Sequence, residues 1–172
     1  KPDGRIQLHQ GAVDIGQGSN TVITQIAADA LRCPIDRFDL VGADTDLTPD
    51  CGKTSASRQT FVTGKAAEMA GAALRAAILR LANAGEDAAV TFEDGRLGIG
   101  EGARVIELSG LAVDARGFAL AAEATFDPPT SPLDADGQGD PYSVYGFGAH
   151  MAELEVDSEL GTVKLLRITA AH

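Results

Sequence analysis

Apolar residues at Val22, Ile23, Ile26, Ala27 and Ala30 recur three and four apart, which is the spacing of one helix face. They predict a helix over residues 21–31, with Ser19 or Asn20 as its N-cap. A longer Ala-, Leu- and Met-rich stretch predicts a second helix over residues 57–83, with Gly85 as the stop signal. Gly64 breaks the apolar face of that helix, and such a glycine marks a close approach of backbone or ligand. Elsewhere the period shortens to two. Residues 5–13, 37–41, 89–92, 96–99, 104–106, 118–126, 145–155 and 162–171 read as strands, with Glu93-Asp94-Gly95 as a hairpin turn and residues 108–112 as a brief helical turn. Residues 43–54 form a polar loop. Residues 128–141 carry four prolines and form another. The fold class expected is α+β: a mixed, mostly antiparallel sheet with two main helices packed on it.

Composition adds limits. Hydrophobic residues make up 44% of the 172, enough for one core-forming domain or one lobe of a larger one. With no Trp and 5% aromatics, that core must lean on Ala, Val, Ile and Leu. A net charge of −11 without a basic stripe removes the electrostatic footprint of a nucleic-acid binder. Any anionic ligand would have to be held by local backbone dipoles. Cys33 and Cys51 make neither a disulfide framework nor a close-spaced metal motif, and read as free thiols of a reducing compartment. The cytoplasm is therefore expected, with the periplasm as the alternative. No secretory leader is visible, and no apolar run is long enough to span a bilayer.

Two stretches carry candidate chemistry. Gly16-Gln17-Gly18 lies between a strand and a helix, where glycines permit a tight turn and unpaired helix N–H groups favour an anion. The alternative is a plain strand-to-helix turn. Thr54-Ser55-Ala56-Ser57-Arg58-Gln59-Thr60 crowds hydroxyl and amide side chains where the second helix leaves its first N–H groups free. It suits phosphate, with Arg58 adding charge; simple helix capping is the alternative. Neither stretch is a Walker loop, and the Gly-Gln-Gly run lacks the further glycine of the dinucleotide fingerprint. Glu153 and Glu155 alternate on a strand and read as a solvated face. His9, His150 and His172 read as structural.

The run Gly11-Ala12-Val13-Asp14-Ile15-Gly16-Gln17-Gly18, followed by Thr21 and Gln25 to Leu31, resembles the Gly-Gln-Gly segment of the xanthine oxidase/aldehyde oxidase family of molybdenum hydroxylases. Asp44 to Thr60 with Gly64 resembles that family's second cofactor loop, in order, spacing and placement before a long helix. Residues 148–157 and 161–163 resemble the strand pair that follows, and residues 86–141 are the least diagnostic part. The resemblance implies that residues 1–172 are a fragment, one lobe, of the large molybdopterin-binding subunit. It implies a molybdenum–molybdopterin cofactor, in the cytosine dinucleotide form, whose dithiolene supplies sulfur to the metal so that no protein metal ligand is needed. Gly16, Gln17 and Gly18 would approach the pterin. Thr54, Ser55, Ala56, Ser57 and Gln59 would line its phosphate and metal side, with Ala56 small because the cofactor packs above it. The family's general base, a glutamate, falls in a Gly-Glu segment beyond His172, so no catalytic residue is assigned here. FAD and 2Fe-2S centres on partner subunits or domains, the remainder of the large subunit and a small-molecule substrate complete the implied assembly. The reaction implied is hydroxylation of an aldehyde or N-heterocycle with water as oxygen source, with the isolated fragment inactive.

Two other readings compete: a stand-alone anion- or nucleotide-binding module using the same helix starts, and a purely structural domain whose helices are merely capped.

Overall fold

The computed structural model describes residues 1–172, which separate into two units, Lys1–Pro128 and Pro129–His172. The first unit opens with a βαβ arrangement. β1 (Ile6–His9) runs parallel to β2 (Phe38–Val41), in register Ile6 with Phe38 through His9 with Val41. A parallel pair needs a crossover, and α1 (Ser19–Leu31) supplies it. α2 (Gln59–Leu81) follows, and then a three-stranded antiparallel sheet of β3 (Val90–Glu93), β4 (Arg96–Ile99) and β5 (Arg104–Glu107). The α+β expectation holds, with the strands divided among three small sheets, one of them parallel.

α1 and α2 pack on each other through small residues, which lets their backbones come close. The approach is tightest at Gly71, where an added methyl would lie 2.7 Å from the Ala27 carbonyl oxygen and 3.0 Å from the Ala30 Cβ. At Gly64 it would meet the Ile26 Cδ1 at 2.9 Å, so the interruption of the helix face answers a side chain of α1. Ile23 and Leu31 are fully buried, each stabilising the fold by about 1.5–3 kcal/mol. Leu31, Ile78, Leu79, Leu97, Ile99 and Leu108 form one core cluster under the antiparallel sheet; Ala12, Ile23, Ala27 and Ala67 form a second beneath the loop after β1. Arg75 is buried on α2 and donates to the Ala88 carbonyl at 2.7 Å, tying the helix to the loop before β3.

Three expectations shift. α2 begins at Gln59 instead of residue 57, because Ala56 (φ 55°) and Ser57 (φ 53°) are both left-handed and cannot continue into a right-handed helix. The N-cap of α1 is Gly18, at φ 80°, and neither Ser19 nor Asn20 caps the helix. Residues 118–126, strand-like in sequence, have no ladder partner and form no strand.

The second unit is a hairpin, β6 (Ala149–Asp157) against β7 (Thr162–Ala171). The Asp157 carboxylate closes its turn by accepting the Glu159 and Leu160 amides, each at 2.9 Å. Directly paired residues share a face. Ala152 with Ile168, Leu154 with Leu165 and Val156 with Val163 make one face apolar. Glu153 with Arg167, Glu155 with Lys164 and Asp157 with Thr162 make the other polar, with ion pairs at 3.7 Å (Arg167–Glu153) and 3.9 Å (Lys164–Glu155). The acidic alternation is thus a cross-strand charged face. The register shifts beside Glu153 and Leu154, leaving Leu166 without an opposite residue. This bulge keeps both strands in phase, since a slip of one residue would exchange the faces.

Candidate functional site

The loop from β1 into α1 is built around Asp14. Its carboxylate accepts the backbone N–H groups of Gly16 (2.9 Å), Gly18 (3.3 Å) and Asn20 (3.1 Å). The Gly16 and Asn20 amides chiefly hold the Asp14 carboxyl below its ordinary pKa. Of the N–H groups that the sequence offered to an external anion at this helix start, those of Gly16, Gly18 and Asn20 are therefore already occupied, while those of Ser19 and Thr21 have no protein partner. Gln17 folds back over the same loop, accepting from the Ile15 amide at 2.7 Å and donating to the Val13 carbonyl at 3.0 Å. One Nε2 hydrogen and one Oε1 lone pair remain for a ligand. Gly16 (φ 100°) and Gly18 (φ 80°) have nothing within 4 Å of where a Cβ would stand, so the backbone there lies bare. Buried Gln10 stiffens the loop from below, taking the Ala12 amide at 2.7 Å and donating to the Ala12 carbonyl at 3.0 Å.

The second loop, residues 50–59, is held by its own side chains. Arg58 donates from Nη1 to the Cys51 and Lys53 carbonyls, both at 3.1 Å, so it braces the loop's backbone from within. Gln59 is buried and donates to the Lys53 carbonyl at 2.9 Å and to Thr54 Oγ1 at 3.4 Å; Thr63, one turn on, donates its hydroxyl to Gln59 Oε1. Thr54, Ser55, Ala56 and Ser57 thus stand above a saturated base. Ser55, Ala56 and Ser57 are exposed, and their backbone N–H groups have no protein partner. Here the approach to the helix is open, whereas Asp14 takes part of the start of α1.

The two loops touch. The Val13 N–H donates to Thr54 Oγ1 at 3.0 Å across 41 positions of sequence. Gly11 makes a second close approach: a Cβ there would lie 2.2 Å from the Pro49 carbonyl oxygen. Of the eight residues singled out by sequence, Gly16, Gln17 and Gly18 therefore sit on one loop. Thr54, Ser55, Ala56 and Ser57 sit on the loop joined to it, and Gln59 lies beneath. The sequence reading missed Asp14, Gln10 and Thr63 as organisers. Asp14 had a local signal, an aspartate two residues before a glycine in the turn that leads into a helix; Thr63 follows Gln59 at helical i, i+4 spacing.

His9 contacts the Leu47 carbonyl at 2.9 Å through Nδ1 and meets the Phe118 ring edge-on at 5.8 Å, a packing role. His150 and His172 come together across the hairpin, rings 5.3 Å apart. No group of three or more His, Cys, Asp or Glu side chains converges. No helix is long and apolar enough to cross a membrane.

Residues 1–172 match the family model of the molybdopterin cofactor-binding domain along their whole length. The chain is 30% identical over 181 residues to the xanthine dehydrogenase molybdenum-binding subunit of Escherichia coli O157:H7, covering 99% of this chain and 22% of that protein. It is 29% identical to the gamma subunit of the 6-hydroxypseudooxynicotine dehydrogenase complex of Paenarthrobacter nicotinovorans, covering 98% of this chain and 21% of that subunit. Its fold superposes on the aldehyde oxidoreductase of Desulfovibrio desulfuricans ATCC 27774 with a TM-score of 0.67 at 25% identity, over 99% of this chain and 17% of that enzyme. The chain spans about a fifth of the length of the relatives it matches. By sequence and by fold, it belongs to the molybdopterin cofactor-binding domain family of the xanthine dehydrogenase and aldehyde oxidoreductase enzymes.

Proposed function

We propose that the joined loops form one wall of the cofactor cradle of a molybdenum hydroxylase acting on an aldehyde or N-heterocycle. The observation that carries this reading is the Val13 to Thr54 hydrogen bond, which makes a single surface of two loops. The donor set fits a phosphorylated pterin: bare glycine backbone at Gly16 and Gly18, a spare amide hydrogen on Gln17, and the unpaired N–H groups of Ser55, Ala56 and Ser57 with their neighbouring hydroxyls. When bound, the cofactor would supply the metal centre at which water-derived oxygen is transferred and electrons are taken up.

In this reading the chain's own part is to bind and orient. Gln17 would donate Nε2–H to the pterin side, while its Oε1 stays on the Ile15 amide and fixes the side chain's direction. Ser55 and Ser57 would donate to phosphate oxygens. Ala56 would present a small surface above which the group packs. Gln59 acts as a positioning residue, holding Lys53 and Thr54 from below. Asp14 excludes a second anion from the start of α1, so the negative charge is directed to the start of α2. The cytosine dinucleotide form, a glutamate base elsewhere in the large subunit, and FAD and 2Fe-2S partners belong to the same proposal, as does a cytoplasmic location.

The test is Thr54→Val in the intact subunit. It keeps the shape of Thr54 and removes the hydroxyl that accepts from Val13. A neutral hydrogen bond contributes about 1 kcal/mol, so cofactor retention is expected to fall roughly fivefold. Thr54→Ser should restore it. Molybdenum and pterin content per folded subunit are the readouts, and wild-type loading of Thr54→Val would refute the cradle.

A further inference from the structure

Ala12 is buried, 1% exposed, and no backbone group pairs with it. A glutamine side chain does so instead. Gln10 Oε1 accepts the Ala12 N–H at 2.7 Å, and Gln10 Nε2 donates to the Ala12 carbonyl at 3.0 Å. The second Nε2 hydrogen goes to Asn20 Oδ1 at 3.2 Å, in the first turn of α1. Gln10 is itself only 3% exposed, and its backbone N–H is held by the Val41 carbonyl at 3.1 Å, at the end of β2. Gly42 leaves room for the amide: a Cβ there would stand 3.4 Å from Nε2. This one side chain ties β2, the loop after β1 and α1 together, and it has no donor to spare.

The direction of the Ala12 carbonyl decides where Val13 points its N–H. A trans peptide is planar, so the Ala12 C=O and the Val13 N–H leave opposite sides of one plate. With the carbonyl pinned inward on Gln10, the N–H is turned outward, to Thr54 Oγ1 at 3.0 Å. The Val13 carbonyl, on the next peptide, accepts Gln17 Nε2 at 3.0 Å and the Ser19 hydroxyl at 3.4 Å. Both candidate loops therefore hang on the backbone of Val13.

We infer that Gln10 is a positioning residue: it orients the Ala12–Val13 peptide, and through it brings Gln17 and Thr54 onto one surface. What that surface holds rests on the reading proposed above. Packing alone does not ask for a glutamine here, since methionine has the same length and no polar atoms. Methionine would, however, leave the N–H and carbonyl of Ala12 buried without partners, which is costly. The peptide then turns until those groups meet water, and the Val13 N–H leaves Thr54.

Exchange of the Val13 amide hydrogen in the intact, cofactor-free subunit tests this, in the wild type, Gln10→Met, Thr54→Val and the double variant. Gln10→Met should speed that exchange about fivefold, the worth of one neutral hydrogen bond, and Thr54→Val should do the same. Both changes open a single bond, so the double variant should also exchange about fivefold faster, short of the roughly 25-fold product. A wild-type rate in Gln10→Met overturns the inference, because Gln10 would then only fill space. Multiplying effects in the double variant overturn it as well. Should methionine prevent folding, Gln10→Leu is read by the same outcomes. Molybdenum and pterin content, measured separately, should fall about fivefold in Gln10→Met. Faster Val13 exchange with full loading would uphold the role of Gln10 and refute the cradle, so the two failures look different.

Discussion

Gly64 and Gly71 lie seven residues apart on α2, and replacing each with alanine should change stability in opposite directions. Alanine is favoured over glycine in a helix interior by about 1 kcal/mol, which both variants gain. They differ in what the new methyl meets. At Gly71 it would lie 2.7 Å from the Ala27 carbonyl oxygen and 3.3 Å from the Leu31 nitrogen, backbone atoms that move only if α1 moves. Overpacking of that kind costs about 1–3 kcal/mol, so Gly71→Ala should be destabilising by up to about 2 kcal/mol net. At Gly64 the obstacle at 2.9 Å is the Ile26 Cδ1, the end of a rotatable side chain on a half-buried residue. Ile26 can turn away, and Gly64→Ala should be neutral or gain up to about 1 kcal/mol. The difference between the variants is then about 2 kcal/mol, roughly 4–8 °C in Tm for a chain of this size. Thermal unfolding of both variants, followed by circular dichroism in one buffer, measures it. Because the comparison is between two alanines on the same helix, most changes in the unfolded state cancel. A Gly71→Ala protein as stable as Gly64→Ala would refute the account of the helix contact.

Burial pushes the Cys33 thiol up to about 12, whereas Cys51 is half-buried on the second loop. A thiolate-selective reagent at pH 8 should therefore modify one cysteine in the native chain, Cys51, and two after unfolding; modification of Cys33 in the folded protein would contradict this. Asp14 has a folded-state pKa held below 3.8, chiefly by the Gly16 and Asn20 amides. Its contribution to the loop is fully present above that value and is lost as pH falls through the lower folded one. The amide resonances of Gly16, Gly18 and Asn20 should stay fixed from neutral pH down to that range and shift together below it. Asp14→Asn should lower the Tm at pH 7 and flatten the acid limb.

Helices were legible in the sequence because their periodicity is carried by many residues at once. The boundary of α2 was not, since Ala56 and Ser57 adopt left-handed backbone that neither residue type announces. Residues 118–126 show the complementary limit: an alternating, apolar stretch declares itself a strand but cannot say where its partner is. The candidate loops were readable in composition and in their resemblance to a family. That resemblance implied that they share one cofactor; the Val13 to Thr54 contact that joins them was not readable, because nothing local relates positions 41 apart. The sequence also left the α1 start open to an outside anion, and the structure places the protein's own Asp14 there, five residues before Ser19.

The unopposed Leu166 limits how the hairpin can change length over generations. Losing Leu166 itself would close the bulge and leave both faces as they are, because Leu165 and Arg167 already oppose the adjacent Leu154 and Glu153; losing or gaining any other single residue would turn every position beyond it inside out and set lysine and glutamate where leucine and valine stood. Changes in twos would leave both surfaces as they are. Tolerated insertions and deletions here should therefore come in even numbers, unless an odd one removes the bulged residue or brings a new bulge to absorb it.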